Sequence, residues 1–308
     1  MPPDPEEIQE IMAKMSGKSI RKPPQFMRMS IPLKMMSMTE PLDGVKFDLN
    51  LPVSQTFQAG FGFNFSNTKP SKFELTTVLS LVDPKKQGPF GNPDEMSMIQ
   101  ARSDSTGFLE VHSKFCLGEG YSISPEVFFM NNQVDTGMLQ LELMKEWDTC
   151  HLVAKTMAGM QYSLSFMQAL NKNLVTGFEF TYLPERRDSM FFYGLNYTSS
   201  VHNFFFQYIP MGRKEDFNFG YLGRTSKRLN LFAELKGSLE GNSETLAGFK
   251  VKFSDSQVTG FMNSHLKATG IYRKSIQNLL SVSVVGAMDL KNTDKPTRFG
   301  MSLGFGAM

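Results

Sequence analysis

The sequence predicts an all-β fold, a transmembrane β-barrel that follows an N-terminal, partly helical arm. Three observations carry this. In residues 55–66, Phe57, Ala59, Phe61, Phe63 and Phe65 fall on one parity, and Gln58, Gly60, Gly62 and Asn64 on the other. Successive strand side chains point to opposite faces, so the run has one greasy face and one small, polar face. It also has the about 9–11 residues that a tilted strand needs to cross a bilayer. Second, runs of this texture recur almost to the last residue, separated by turn clusters. Third, the apolar faces hold few Lys or Glu, as a lipid-facing surface must when a midplane Arg or Lys costs roughly 2–4 kcal/mol. Every backbone N–H and C=O in lipid has to find a partner, which forces such a sheet to close.

Bulk composition does not decide between water and membrane. The chain has 308 residues, a formal net charge of +2 and 41% hydrophobic residues. A membrane barrel shares those values with a soluble protein, because half of each strand faces water. No stretch approaches the roughly 20 apolar residues of a spanning helix. The N-terminus, Met1-Pro2-Pro3-Asp4-Pro5-Glu6-Glu7, is acidic and Pro-rich, with no secretory or transit signature. The expectation is a cytosolically made protein that enters an organelle's outer membrane from internal information. Cys116 and Cys150 are too few for a disulfide framework and read as ordinary thiols. The near-neutral charge gives no case for nucleic acid. His112, His151, His202 and His265 are far apart and share no metal-ligand spacing. Neither a Gly-x-Ser-x-Gly elbow nor a phosphate-cradling loop appears. The chain is therefore read as no enzyme and as needing no cofactor.

Residues 1–43 form the arm. Glu6 to Met15 predicts a short helix with Ile8, Ile11, Met12 and Met15 on one side and Gly17 as its stop. Pro23-Pro24 follows, then a cluster of Met27, Met29, Met35, Met36 and Met38, flexible side chains that suit adaptable apolar contacts. A loosely ordered tail and an arm that enters the pore both fit. Residues 44–308 form the barrel. Val45, Phe47, Leu49 and Leu51 alternate with Lys46, Asp48 and Asn50, and Phe73, Leu75, Thr77, Leu79 and Leu81 with Lys72, Glu74, Thr76 and Ser80. Leu109, Val111 and Phe115 alternate with Glu110, His112 and Lys114, and Leu139, Leu141 and Leu143 with Gln140 and Glu142. Phe178, Phe180 and Tyr182 alternate with Gly177, Glu179 and Thr181, and Leu229, Leu231, Ala233 and Leu235 with Asn230, Glu234 and Lys236. Further runs hold Phe191 to Tyr197, Phe249 to Phe253 and Leu280 to Val284. Turn clusters such as Pro184-Glu185-Arg186-Arg187-Asp188 separate them, and residues 83–95, rich in Pro and Gly, predict a longer loop. The spacing gives about 18–20 strands. Tyr182, Tyr193, Tyr197, Tyr208 and Tyr221 are candidates for interfacial rings.

A barrel of this size encloses water. Its lining then includes Asp48, Glu74, Glu110, Glu142, Glu179 and Glu234, with Lys46, Lys114, Lys236, Lys250 and Lys252 as opposite charges. Facing charges of this kind steer a charged solute without holding it tightly.

Three stretches resemble a known family. Asp43-Gly44-Val45-Lys46-Phe47-Asp48-Leu49-Asn50 followed by Val53-Ser54-Gln55-Thr56-Phe57-Gln58 resembles the first strands of the pore-forming subunits of the mitochondrial outer-membrane protein translocase. Asp104-Ser105-Thr106-Gly107-Phe108-Leu109 and the strand and turn of Leu174–Arg187 are similar to later parts of the same family. Near the end, Arg298-Phe299-Gly300-Met301-Ser302-Leu303-Gly304-Phe305 fits a mitochondrial β-signal, carried by Arg298, Gly300, Leu303 and Phe305. The resemblance implies a nineteen-strand barrel with parallel first and last strands, located in the mitochondrial outer membrane. It implies that unfolded precursor proteins pass through the lumen, with Asp48, Glu74, Glu110, Glu142 and Glu179 as the acidic contacts for their presequences. It also implies receptor subunits, small single-helix subunits, membrane lipids and a second barrel copy as partners.

Two rivals stand beside it. The voltage-dependent anion channel family shares the strand pattern and the C-terminal signal, but passes metabolites through a predominantly basic lumen. A soluble β-sandwich also alternates, yet its strands run to about five or six residues, shorter than many of these runs.

Overall fold

The computed structural model describes residues 44–54, 56–66, 70–81, 97–130, 133–211, 214–238, 241, 243–277, 279–292 and 297–306. The arm at 1–43 and the loop at 83–95 lie outside the described residues. The chain forms one sheet of nineteen strands. They are β1 (Gly44–Pro52), β2 (Phe57–Ser66), β3 (Lys72–Leu81), β4 (Ser97–Asp104), β5 (Leu109–Gly118), β6 (Tyr121–Met130), β7 (Gln133–Glu146), β8 (Cys150–Met157), β9 (Gln161–Ala169) and β10 (Leu174–Leu183). The second half holds β11 (Asp188–Thr198), β12 (His202–Met211), β13 (Lys214–Arg224), β14 (Leu229–Ser238), β15 (Ser243–Lys252), β16 (Ser256–Asn263), β17 (Lys267–Ile276), β18 (Leu280–Asp289) and β19 (Arg298–Phe305). Each pairs antiparallel with its neighbours in sequence. The cylinder closes where β1 meets β19 in parallel, from Gly44 beside Gly300 to Leu49 beside Phe305. Among the described residues no sheet edge remains to meet lipid with unpaired backbone groups.

The register carries the alternation around the whole wall. Asp48 lies opposite Gly62, and Gly62 opposite Glu74, while Phe47, Phe63 and Phe73 share the other face. Large apolar side chains stay exposed on that outer face, Phe65 at 52% and Tyr193 at 54% among them. In a bilayer this is the surface that lipid covers. Of the expected interfacial tyrosines, Tyr182 pairs with Tyr162 near the end of β10, and Tyr197 and Tyr221 flank Phe204 at the other rim. Tyr193 and Tyr208 instead pair with each other at mid-strand.

Two local devices shape the wall. On β6, Pro125 stands mid-strand, and the pairs Ser113/Pro125 and Lys114/Ser124 are missing from the β5–β6 ladder. Both need an N–H from residue 125 to the Ser113 carbonyl, and proline has none. At the seam, Gly44 and Gly306 have φ of +126° and +113°, and a Cβ on either would collide with a carbonyl oxygen, of Phe65 and Asn50 respectively. Only glycine suits these two positions.

Candidate lumen site

The inward face of β1–β10 is rich in acids. Asp48 pairs with Lys46 at 3.1 Å, and Glu74 with Arg102 at 3.2 Å, two strands before the Glu110 side of the wall. Lys72 reaches Asp104 at 3.9 Å. Further round, Glu126 lies 4.0 Å from His112 and accepts a hydrogen bond from the Gln140 amide at 3.1 Å. Glu110 faces inward between Arg102 on β4 and Phe128 on β6. Glu142 pairs with Lys155 at 2.9 Å. Glu179, only 6% exposed, stands between Ser165 and Phe192 and within electrostatic reach of Lys155 and Glu142.

The five acids expected from the sequence thus all face the lumen, but not as one bare track. Asp48 and Glu74 lie on neighbouring inward positions near the seam, Glu142 and Glu179 gather around Lys155, and Glu110 stands between these groups. Arg102 and Lys155 are the counter-ions that sequence reading missed, together with the inward acids Asp104 and Glu126. Such part-exposed pairs stabilise by only about 0–1 kcal/mol each. Their effect is to hold acid and base close enough for a passing charge to exchange partners.

From β8 onward the inner wall changes character. Val153, Met167, Val175, Phe205, Leu222, Phe232, Ile271 and Val285 all face inward and are buried. The alternation predicts a polar, partly acidic lumen, and this buried apolar arc adds to it a feature that the sequence pattern does not mark. Glycine explains how it packs. The Phe205 ring lies across Gly220, the Met167 thioether across Gly177 and the Phe232 ring against Gly248, so a Cβ at any of the three would collide. Large side chains lie flat on the wall where the partner strand has none. Polar groups interrupt the arc. Glu234, 4% exposed, pairs with Lys236 at 3.2 Å through Oε2, while its buried Oε1 and the buried Asn218 Oδ1 have no hydrogen-bond partner among the described residues.

The four residues that resemble a β-signal lie at the closure. Gly300 faces inward between Val285 and Gly44, and Arg298 lies beside Ala287. Leu303 and Phe305 face lipid beside Phe47 and Leu49 of β1. Small inward residues let the parallel strands approach, and large outward ones cover the seam. Among the described residues no cluster of His, Cys, Asp or Glu is placed to hold a metal ion.

Comparison with curated proteins found no match. A family model described as Eukaryotic porin matches residues 23–300, a span that takes in all of β1–β18. With nineteen strands, a parallel closure and a match over most of its length, the chain belongs to the eukaryotic porin family.

Proposed function

We propose that this porin-family channel conducts unfolded precursor proteins across the mitochondrial outer membrane. The observation that supports the reading is the two-sided lumen. A metabolite channel for anions calls for a predominantly basic bore. Here acids outnumber bases on the inward face of β1–β10, where Asp48, Glu74, Asp104, Glu110, Glu126, Glu142, Glu146 and Glu179 meet Lys46, Lys72, Arg102, Lys114 and Lys155. Packed on the buried apolar arc, the half-buried Phe192, Leu246 and Phe261 offer weak contact to the greasy side chains that only an unfolded chain presents. Each contact is weak and replaceable, so a chain slides instead of binding.

The anion-channel reading keeps one observation on its side. On β14–β19 the inward face carries Lys236, Lys250, Lys252, Lys267, Arg273 and Arg298 against Glu234, Glu244 and Asp289. Planar-bilayer recordings separate the two. A protein conduit is weakly cation-selective and is blocked by a basic presequence peptide from either side. Clear anion preference with no response to the peptide would select the metabolite channel. Receptor subunits, small single-helix subunits and a second barrel copy are partners this reading proposes, and cross-linking in intact membranes tests them.

A further inference from the structure

The outer wall carries a feature that conduction through the lumen does not use. On β7, β8 and β9 the outward side chains are Leu141 and Leu143, then Ala154 and Thr156, then Tyr162 and Leu164. The small middle pair leaves a trench between two rows of large neighbours, and Phe180 on β10 bounds its far side. Lys155 and Ser163 also border it, from positions whose parity faces the lumen. The trench has a volume of about 500 Å3, within the roughly 300–1,000 Å3 of ligand-holding clefts.

A cation stands at one end. Lys145 follows Leu143 by two residues on the same outward face, about 7 Å along the strand. Its Nζ lies 3.5 Å from the centre of the Tyr121 ring and 5.8 Å from that of Trp147. It also donates a hydrogen bond to the Glu119 carbonyl. Trp147 begins the β7–β8 turn, and Trp and Tyr rings gather where membrane meets water. The ring faces favour the charged ammonium there. One of its three N–H groups serves Glu119, which leaves two for an anion.

We propose that this sector binds one phospholipid, its phosphate on Lys145 and one acyl chain laid over Ala154 and Thr156. The width of the trench chooses the occupant. Its floor is the single strand β8, and its walls rise from β7 and β9, two spacings of about 4.8 Å apart, a gap that the Leu143 and Leu164 side chains narrow further. That admits one hydrocarbon chain, whereas a transmembrane helix about 10–12 Å across rides above it. Charge chooses the headgroup, because an outward ammonium at the interface complements a phosphate and gains nothing from an uncharged lipid.

The full-length barrel, stripped of lipid in detergent and incubated with phosphatidylglycerol, tests this by native mass spectrometry. Diacylglycerol, which lacks the phosphate, is the control. One phosphatidylglycerol is retained per barrel and diacylglycerol is not. Lys145→Gln lowers retention about fivefold, the worth of one basic side chain at a lipid surface. Ala154→Phe fills the trench and lowers it at least as much with Lys145 intact. Heat-modifiable gel migration confirms that both variants close. Equal retention by wild type and Ala154→Phe overturns the proposal, as does equal retention of diacylglycerol. A photoreactive residue at Thr156 labels lipid in native membranes; labelling of another polypeptide instead also overturns it. None of these readouts depends on what the lumen conducts.

Discussion

At the scale of single residues, Lys155 is the most informative position in the lumen. It pairs with Glu142 and lies within reach of Glu179. Replacing it by Met removes the one cation shared by two inward acids. Lys155→Met therefore makes the channel more cation-selective, read as a shift in reversal potential under a salt gradient, while Glu142→Gln shifts it the other way. An unchanged potential in both would mean that this pair does not face the conducting path. Lys155 escaped the sequence reading for a physical reason. On β8 the outward residues are Leu152, Ala154 and Thr156 and the inward ones His151, Val153 and Lys155, so the two faces hardly differ in polarity. The same holds on β4, where Ser97 and Ser103 face outward and Met98 and Arg102 inward. Glu74 and Glu142 were legible because leucine and phenylalanine flank them on the opposite parity. The inward apolar residues were hidden more deeply. Nothing in the sequence says that Phe205 will lie over Gly220, since that depends on the cross-strand register. Gly220→Val tests this packing: the added branches force the ring into the bore and destabilise the barrel by about 1–3 kcal/mol, seen as a lower denaturant midpoint.

At the scale of elements, many strands were legible and their closure was not. Alternation located strands such as β1, β3, β10 and β14, where one lipid face and one water face impose the period on the sequence, but it marked no run on β4, β6, β8, β9, β12, β13, β16 or β17. Alternation carries no information about which strands pair across the gap, so the parallel β1–β19 contact came only from a resemblance. The structure shows what the seam requires. Gly306 combines a left-handed φ with close approach to the Asn50 carbonyl. Gly306→Ala strains that contact and costs about 1–3 kcal/mol, lowering the melting temperature without changing conductance in barrels that do close. Deleting residues 298–308 removes β19 and leaves β1 and β18 as open edges. That variant fails to insert, and carbonate extraction should find it in the soluble fraction. Pro125 gives the opposite case. Pro125→Val restores the donor that the Ser113 carbonyl lacks, adds about 1 kcal/mol of stability, and slows amide exchange along β5 and β6.

At the scale of the whole molecule, the lumen is polarised across its width. The acid-rich inward face of β1–β10 looks across the bore at the base-rich face of β14–β19. The two halves nearly cancel, in keeping with a formal net charge of +2 for the entire chain. A bore of this kind repels neither sign strongly, and a chain carrying both charges and greasy side chains finds a partner on one wall or the other at each step. The balance is also the point of attack. Substituting Asp48, Glu74, Glu110, Glu142 and Glu179 together by Asn or Gln leaves Lys46, Arg102 and Lys155 without their carboxylates. The altered bore becomes anion-selective, and block by a basic presequence peptide weakens, most at low salt, where screening is least. The reversal potential serves as the internal control, because it must move if the five side chains face the path at all. If it moves while peptide block stays at the wild-type level, the acids line the channel but do not attract the precursor, and the half-buried Phe192, Leu246 and Phe261 are left as the surface that does.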